Sequence, residues 1–253
     1  MKITFLGTGT SCGVPVIGCQ CEVCRSRDPR DRRLRCSILV ETAATRLLVD
    51  CGPDFRQQIL PQPFRRIDGI LVTHAHYDHV GGMDDIRPYC QFGQINVYAD
   101  PLACKGMLQM LPYCFAENRY PGVPAIGLHE IHAGEAVTIG DIGFLPVRVI
   151  HGQLPILGYR FGRFAYITDM KSIEPEQARL LHGVEVLVVN ALRFDRPHHS
   201  HQLVGDAVEF ARSIGAHRTL LTHLCHDIGL HTEANRQLPE GVELAYDHQT
   251  LEL

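Results

Sequence analysis

The chain has 253 residues, 45% of them hydrophobic and 21% charged, and 24 Lys and Arg against 28 Asp and Glu give a formal net charge of −4 with histidine neutral. Such a chain has apolar residues enough for one large globular unit or two small ones, and collagen-like, disordered and coiled-coil architectures are excluded. No stretch approaches the ~18 consecutive apolar residues of a membrane helix, and the N-terminus carries one lysine, a short strand-like run and glycine instead of a signal-peptide core. A soluble cytoplasmic protein with no membrane contact is expected. Its 10 cysteines are then reduced and, with 15 histidines, point toward metal.

In chain order, residues 3–6 form an apolar run closed by Gly7-Thr8-Gly9-Thr10, which predicts a first strand entering a tight loop. Further β-type runs fall at 37–41, 46–50, 69–73, 95–99, 142–150, 158–163, 164–168, 184–189 and 219–222. Periodicity predicts helices over 53–60, 101–111, 172–181 and 202–214, with Ser172, Glu174 and Pro175 as a helix start. Early strands come in pairs and later ones alternate with helices, so two mixed sheets covered by helices are expected. With no linker or repeat to divide it, the chain is expected to fold as one domain over 1–253.

The run at 69–73 is followed at once by His74-Ala75-His76-Tyr77-Asp78-His79. Three imidazoles and a carboxylate in six residues cannot share a helix face or an alternating strand without crowding polar groups. A divalent cation relieves that crowding, because neutral imidazole and carboxylate are good ligands for zinc, manganese or iron. In a tight turn His74 and His76 can converge on one ion while Asp78 and His79 face a second.

This segment resembles the hallmark of the metallo-β-lactamase superfamily, His-x-His-x-Asp-His after a buried strand. Polar residues stand at the ends of three later apolar runs, where the superfamily has its other ligands: His151, Asp169 and His223. Taken singly, His151 or His223 would more often be an ordinary core or surface histidine, and Asp169 a helix cap before Ser172. The resemblance implies a four-layer αβ/βα sandwich with two mixed β-sheets. It also implies His74, His76 and His151 on one metal, Asp78, His79 and His223 on the other, and Asp169 bridging the two ions, which would be manganese or zinc, or iron.

Cys19-Gln20-Cys21-Glu22-Val23-Cys24 places three thiols in a loop after Gly18. They can bind one face of a tetrahedral ion, and His226, three residues beyond His223, is the expected fourth ligand. Reactive or merely buried cysteine is the alternative. Cys12, Cys36, Cys51, Cys90, Cys104, Cys114 and Cys225 lack such spacing and read as packing residues. With Gly7-Thr8-Gly9 and Gly13-Val14-Pro15, this loop makes the sequence similar to the phosphoribosyl cyclic phosphodiesterases of the carbon-phosphorus lyase pathway and their relatives. That resemblance implies a structural zinc on Cys19, Cys21, Cys24 and His226, within a zinc-binding loop at about 12–36.

His198, His199 and His201 precede the last predicted helix, where a histidine near the metal edge can protonate a leaving oxygen. His201 best matches the relatives' histidine by its distance from the helix; a solvated loop is the plainer reading of His198 and His199. Arg25, Arg27, Arg30, Arg32, Arg33 and Arg35 form a basic run suited to phosphate or simply to solvent.

The expected reaction is hydrolysis of a small, cyclic phosphodiester by hydroxide held between two ions, with Asp78 and His201 as the catalytic residues. The small cyclic substrate rests on the resemblance. Nucleic acid is not favoured, because the chain is acidic and lacks a binding motif; a dimer is the expected oligomer. A transfer-RNA 3′-processing endonuclease, a thioester or lactam hydrolase and a non-catalytic pathway carrier are the alternatives on the same fold.

Overall fold

The computed structural model describes residues 1–118 and 120–253. One seven-stranded sheet sets β1 (Lys2–Gly7), β2 (Ser37–Glu41), β3 (Arg46–Val49), β4 (Gly69–Leu71), β5 (Ile95–Ala99) and β6 (Ile126–Glu130) side by side in chain order. The second sets β7 (Val137–Ile139), β8 (Ile142–His151), β9 (Leu154–Phe161), β10 (Phe164–Ile167), β11 (Val186–Asn190), β12 (Arg218–Thr222) and β13 (Val242–Leu244) in the same way. The last strand, β14 (Thr250–Glu252), returns to pair with β1. In each sheet antiparallel pairs give way to parallel ones, at β3 in the first and β10 in the second. The parallel strands therefore bring several carboxyl ends to one edge, the place where loops of such sheets gather ligands.

Every residue of β2, β10 and β11 is buried, because each sheet is covered on both faces. Between the sheets, Ile3, Phe5, Ile38 and Val49 pack with Phe144, Tyr159, Tyr166 and Val188. Outside the first sheet, helices α2 (Phe55–Ile59), α3 (Tyr77–Val80), α4 (Pro101–Met110) and α5 (Pro112–Phe115) bury Phe55, Val80, Met107 and Cys114 against Leu48 and Val97. Outside the second, α7 (Val204–Ile214) buries Val204, Ala207, Val208, Ala211 and Ile214 at helical spacing against Val189 and Leu221; each large side chain so buried contributes about 1.5–3 kcal/mol. Gly215, in left-handed backbone at φ 75°, ends that helix and donates to the Ala211 carbonyl. The expected four-layer architecture is the observed one.

The local differences have local causes. β6, β7, β13 and β14 are three to five residues long and interrupted by polar side chains, so their sequence lacks a strand period. The helix expected over 172–181 is only α6 (Pro175–Arg179), because the Ser172 carbonyl accepts from Ile150 N at 2.8 Å and stays extended beside β8. The short helices α1 (Glu22–Arg25) and α8 (His231–Asn235) complete the set. Among the described residues no helix is long and apolar enough to cross a membrane.

Candidate functional site

Two backbone links hold the segment after β4 against the second sheet: Tyr159 Oη donates to Val72 O at 2.6 Å and Leu157 N to Thr73 O at 3.0 Å. The chain then turns through His74 into α3, whose four residues include Asp78 and His79. Gly52 lets the end of β3 lie against this turn, since a Cβ there would stand 2.0 Å from the Asp78 carbonyl. Asp50, Asp169 and His223 each follow a strand in left-handed backbone, with φ of 61°, 58° and 55°. For non-glycine residues that conformation costs on the order of 1–2 kcal/mol, and here it turns three polar side chains at the strand ends where the ligating atoms collect.

The structure brings together all seven residues expected at a dinuclear centre. Ligating atoms of His74, His76 and His151 lie within 4.8 Å of one another, as do those of Asp78, His79 and His223. Asp169 joins the two groups: its Oδ2 is 3.3 Å from His79 Nε2, its Oδ1 is 3.1 Å from His223 Nε2, and it also clusters with His74 and with His151. His201 comes to the same place, its Nδ1 3.7 Å from Asp169 Oδ1. His76 is exposed while His74, His79, His151, Asp169 and His223 are buried, so the cluster opens to solvent on the His76 side.

Three of the rings, those of His74, His79 and His151, are aimed by a neighbour. Asp50 Oδ2 lies 2.7 Å from His79 Nδ1, Thr73 Oγ1 3.0 Å from His74 Nδ1, and the Ser200 carbonyl 3.0 Å from His151 Nδ1. These contacts leave Nε2 of each ring for the centre, the usual device for orienting imidazole ligands. Sequence reasoning missed Asp50, Thr73 and Ser200. Asp50 was within reach, as a lone carboxylate ending the apolar run Leu47-Leu48-Val49; Ser200 acts through its backbone and leaves no signal in its residue type.

Burial alone would push the His79 pKa down, but the carboxylates of Asp169, Asp50 and Asp78 hold it well above the ordinary value. Burial works to raise Asp169, yet His223 and His79 keep it well below the carboxylate range. His74 is pushed well down by burial and then by His79, and His201 to about 3 by burial and then by His223. His79 Nε2, His201 Nδ1 and both nitrogens of His223 are buried without a hydrogen bond. Carboxylates gathered around unbonded imidazole nitrogens are a donor set that fits divalent cations.

The thiol loop forms a second group. Sγ of Cys19, Cys21 and Cys24 lie 3.3, 3.3 and 3.5 Å from Nδ1 of His226. Ordinary zinc–sulfur and zinc–nitrogen bonds in a tetrahedron require edges of about 3.6 Å, so these four residues also fit an ion. The Cys24 N–H lowers the Cys21 thiol to about 6, while burial raises that of Cys24 to about 11.

One expectation needs correction, and one open reading divides. Cys12 is exposed and is no packing residue, whereas Cys36, Cys51, Cys104, Cys114 and Cys225 are buried and Cys90 half-buried. The arginine run is not one basic face. Arg33 is buried, with Nη1 donating to Ala245 O at 2.6 Å, Arg30 and Arg35 pair with Asp28 and Asp54, and Arg25, Arg27 and Arg32 are exposed.

A family model described as a beta-lactamase superfamily domain matches residues 45–224, and with this fold and these clusters the chain belongs to that superfamily. Within it, the chain is similar to a crystal structure of a new diphosphatase from the PhnP family, at 40% identity and a TM-score of 0.91, with 99% of this chain and 97% of that one covered. An octanoyltransferase of Porphyromonas gingivalis is 42% identical over 98% of this chain, which spans only 50% of that protein's length. A ribonuclease Z of Bradyrhizobium diazoefficiens is 24% identical over 97% of this chain and 98% of its own.

Proposed function

We propose that this chain is a single-domain, metal-dependent hydrolase of small phosphodiesters, cyclic ones among them. The observation that carries the reading is the Asp169 carboxylate between the His74/His76/His151 and Asp78/His79/His223 groups, with His201 facing the same space. Those seven residues would hold two ions, of manganese, zinc or iron. Bound there, the ions supply activated water at neutral pH and neutralise charge developing on phosphoryl oxygens. Asp50, Thr73 and Ser200 hold the rings in register, and the buried walls limit access to the side of His76. His201 donates the proton to the leaving oxygen. Burial favours its neutral imidazole, and an anionic substrate, by favouring the charged form, lets it take up that proton. Cys19, Cys21, Cys24 and His226 would hold a structural zinc, since four protein ligands at one ion serve structure and not substrate binding. The likeness to the PhnP-family diphosphatase supports phosphoryl over carbonyl substrates.

The octanoyltransferase relative favours one second reading, acyl chemistry on a thioester, which the same centre could attack. Elemental analysis of protein purified without chelator should give about three ions per chain. A screen of nitrophenyl phosphodiester, cyclic phosphodiester, phosphomonoester, diphosphate and octanoyl thioester should show the diesters turning over fastest. Thioester turnover without diester turnover in metal-replete protein would replace the first reading by the second.

A further inference from the structure

We infer that Asp227 is a positioning residue that transmits the state of the thiol cluster to His201; this rests on the phosphodiesterase reading. The loop over 193–203 is tied at its base by Leu192 N to Gln202 O and Val204 N to Arg193 O, both at 3.0 Å. Inside it, Arg193 Nε donates to the carbonyls of Asp195 and Arg196, both at 3.0 Å. The far end reaches the metal centre, with Ser200 O against His151 Nδ1 at 3.0 Å, the His201 ring against that of His223 at 4.7 Å, and His201 O accepting from Lys171 Nζ at 3.2 Å.

The outer side of this loop is held by one carboxylate. Asp227 Oδ2 pairs with Arg193 Nη1 at 3.4 Å and with Arg196 Nη2. Asp227 directly follows His226, whose Nδ1 is the fourth vertex of the thiol cluster, and Cys225 N donates to Leu192 O at 3.1 Å on the same turn. An ion on the three thiols and His226 therefore fixes the peptide that carries Asp227, and Asp227 fixes the loop that presents His201. Losing either element lets the loop drift at His201; of the seven residues at the dinuclear centre, only His151 is hydrogen-bonded to the loop, through the Ser200 carbonyl that aims its ring, and the other six keep their places.

The test compares alkyl and nitrophenyl phosphodiesters in Asp227→Asn, a near-isosteric change. The expected result is a loss of about fivefold in kcat for the alkyl ester, within about twofold for nitrophenyl, with KM unchanged, the scale of a partly shielded ion pair. Asp227→Glu should recover most of it, and hydrogen exchange over 193–203 should quicken in Asp227→Asn. Cys21→Ser should reproduce the same leaving-group signature and exchange, and the double variant should be no worse than either single one. Equal losses for both esters, additive losses, or unchanged exchange in Cys21→Ser would overturn the coupling. If wild-type protein turns over no diester, the functional reading fails by itself, and exchange over 193–203 in the two variants still decides whether the link exists.

Discussion

The two metal-competent clusters are built in opposite ways. The histidine and aspartate cluster draws on residues from 74 to 223, comes from the ends of strands in both sheets, and is mostly buried with its rings aimed by Asp50, Thr73 and Ser200. The thiol cluster takes three residues from one loop and one from a short turn, with Cys21 exposed and a small apolar group of Val14, Val23 and Cys24 beneath it. The fold makes the first cluster, because no residue of it is placed without the sheets. For the second the dependence runs the other way: a loop with so little core gains its order from the ion it can hold.

Substitutions should separate the two. Asp78→Asn removes a carboxylate 3.3 Å from His79 Nε2, so turnover should fall to background and the dinuclear ions should be depleted while the thiol-bound zinc stays; full turnover with full metal would place the chemistry elsewhere. His201→Ala should keep all ions and lose about 10²- to 10⁴-fold on substrates with a poor leaving group, and much less on nitrophenyl esters. An equal loss on both kinds of ester would make His201 a binding residue only. Asp50→Asn should cost about 10- to 100-fold in dinuclear-metal affinity or activity by freeing the His79 ring, read by metal titration. Cys21→Ser should remove one zinc and lower the melting temperature by several degrees, with nitrophenyl turnover little changed. If zinc and melting temperature stayed whole while activity vanished, the cysteine would be catalytic.

What the sequence disclosed follows the same division. The candidate ligands were legible because His74, His151, Asp169 and His223 each stand at the end of an apolar run, and four of the seven sit within six positions. His226 was legible through its nearness to His223. Asp50 escaped notice because one carboxylate after a strand has many uses, and only the fold puts it 2.7 Å from His79 Nδ1. The arginine run stayed open because charge along a loop says nothing of direction: Arg25, Arg27 and Arg32 face solvent, while Arg33 turns inward to Thr8 Oγ1 and Ala245 O. Edge strands such as β13 and β14 are set by pairing with β12 and β1, a tertiary effect that three residues cannot encode.

The smallest expected effect lies where the two regions meet. Asp247 accepts from Thr8 Oγ1 and from Leu34 N, both at 2.7 Å, and Thr8 O in turn accepts from Leu224 N, next to His223. Burial raises its carboxyl from 3.8 to about 6. The folded protein therefore holds this proton more tightly than the unfolded chain. Its contribution to stability is fully present below about pH 4 and is lost as pH rises through about 6. Between pH 7 and 5 the wild-type protein should gain about 1 kcal/mol relative to Asp247→Asn, measured as the difference between two urea unfolding series. Asn has a single acceptor oxygen where Asp247 uses two, so the absolute stabilities will differ for a second reason, and only the change with pH isolates the proton. Parallel pH curves for the two proteins would mean that the folded protein holds the Asp247 proton no more tightly than the unfolded chain does, and that burial is offset by its neighbours.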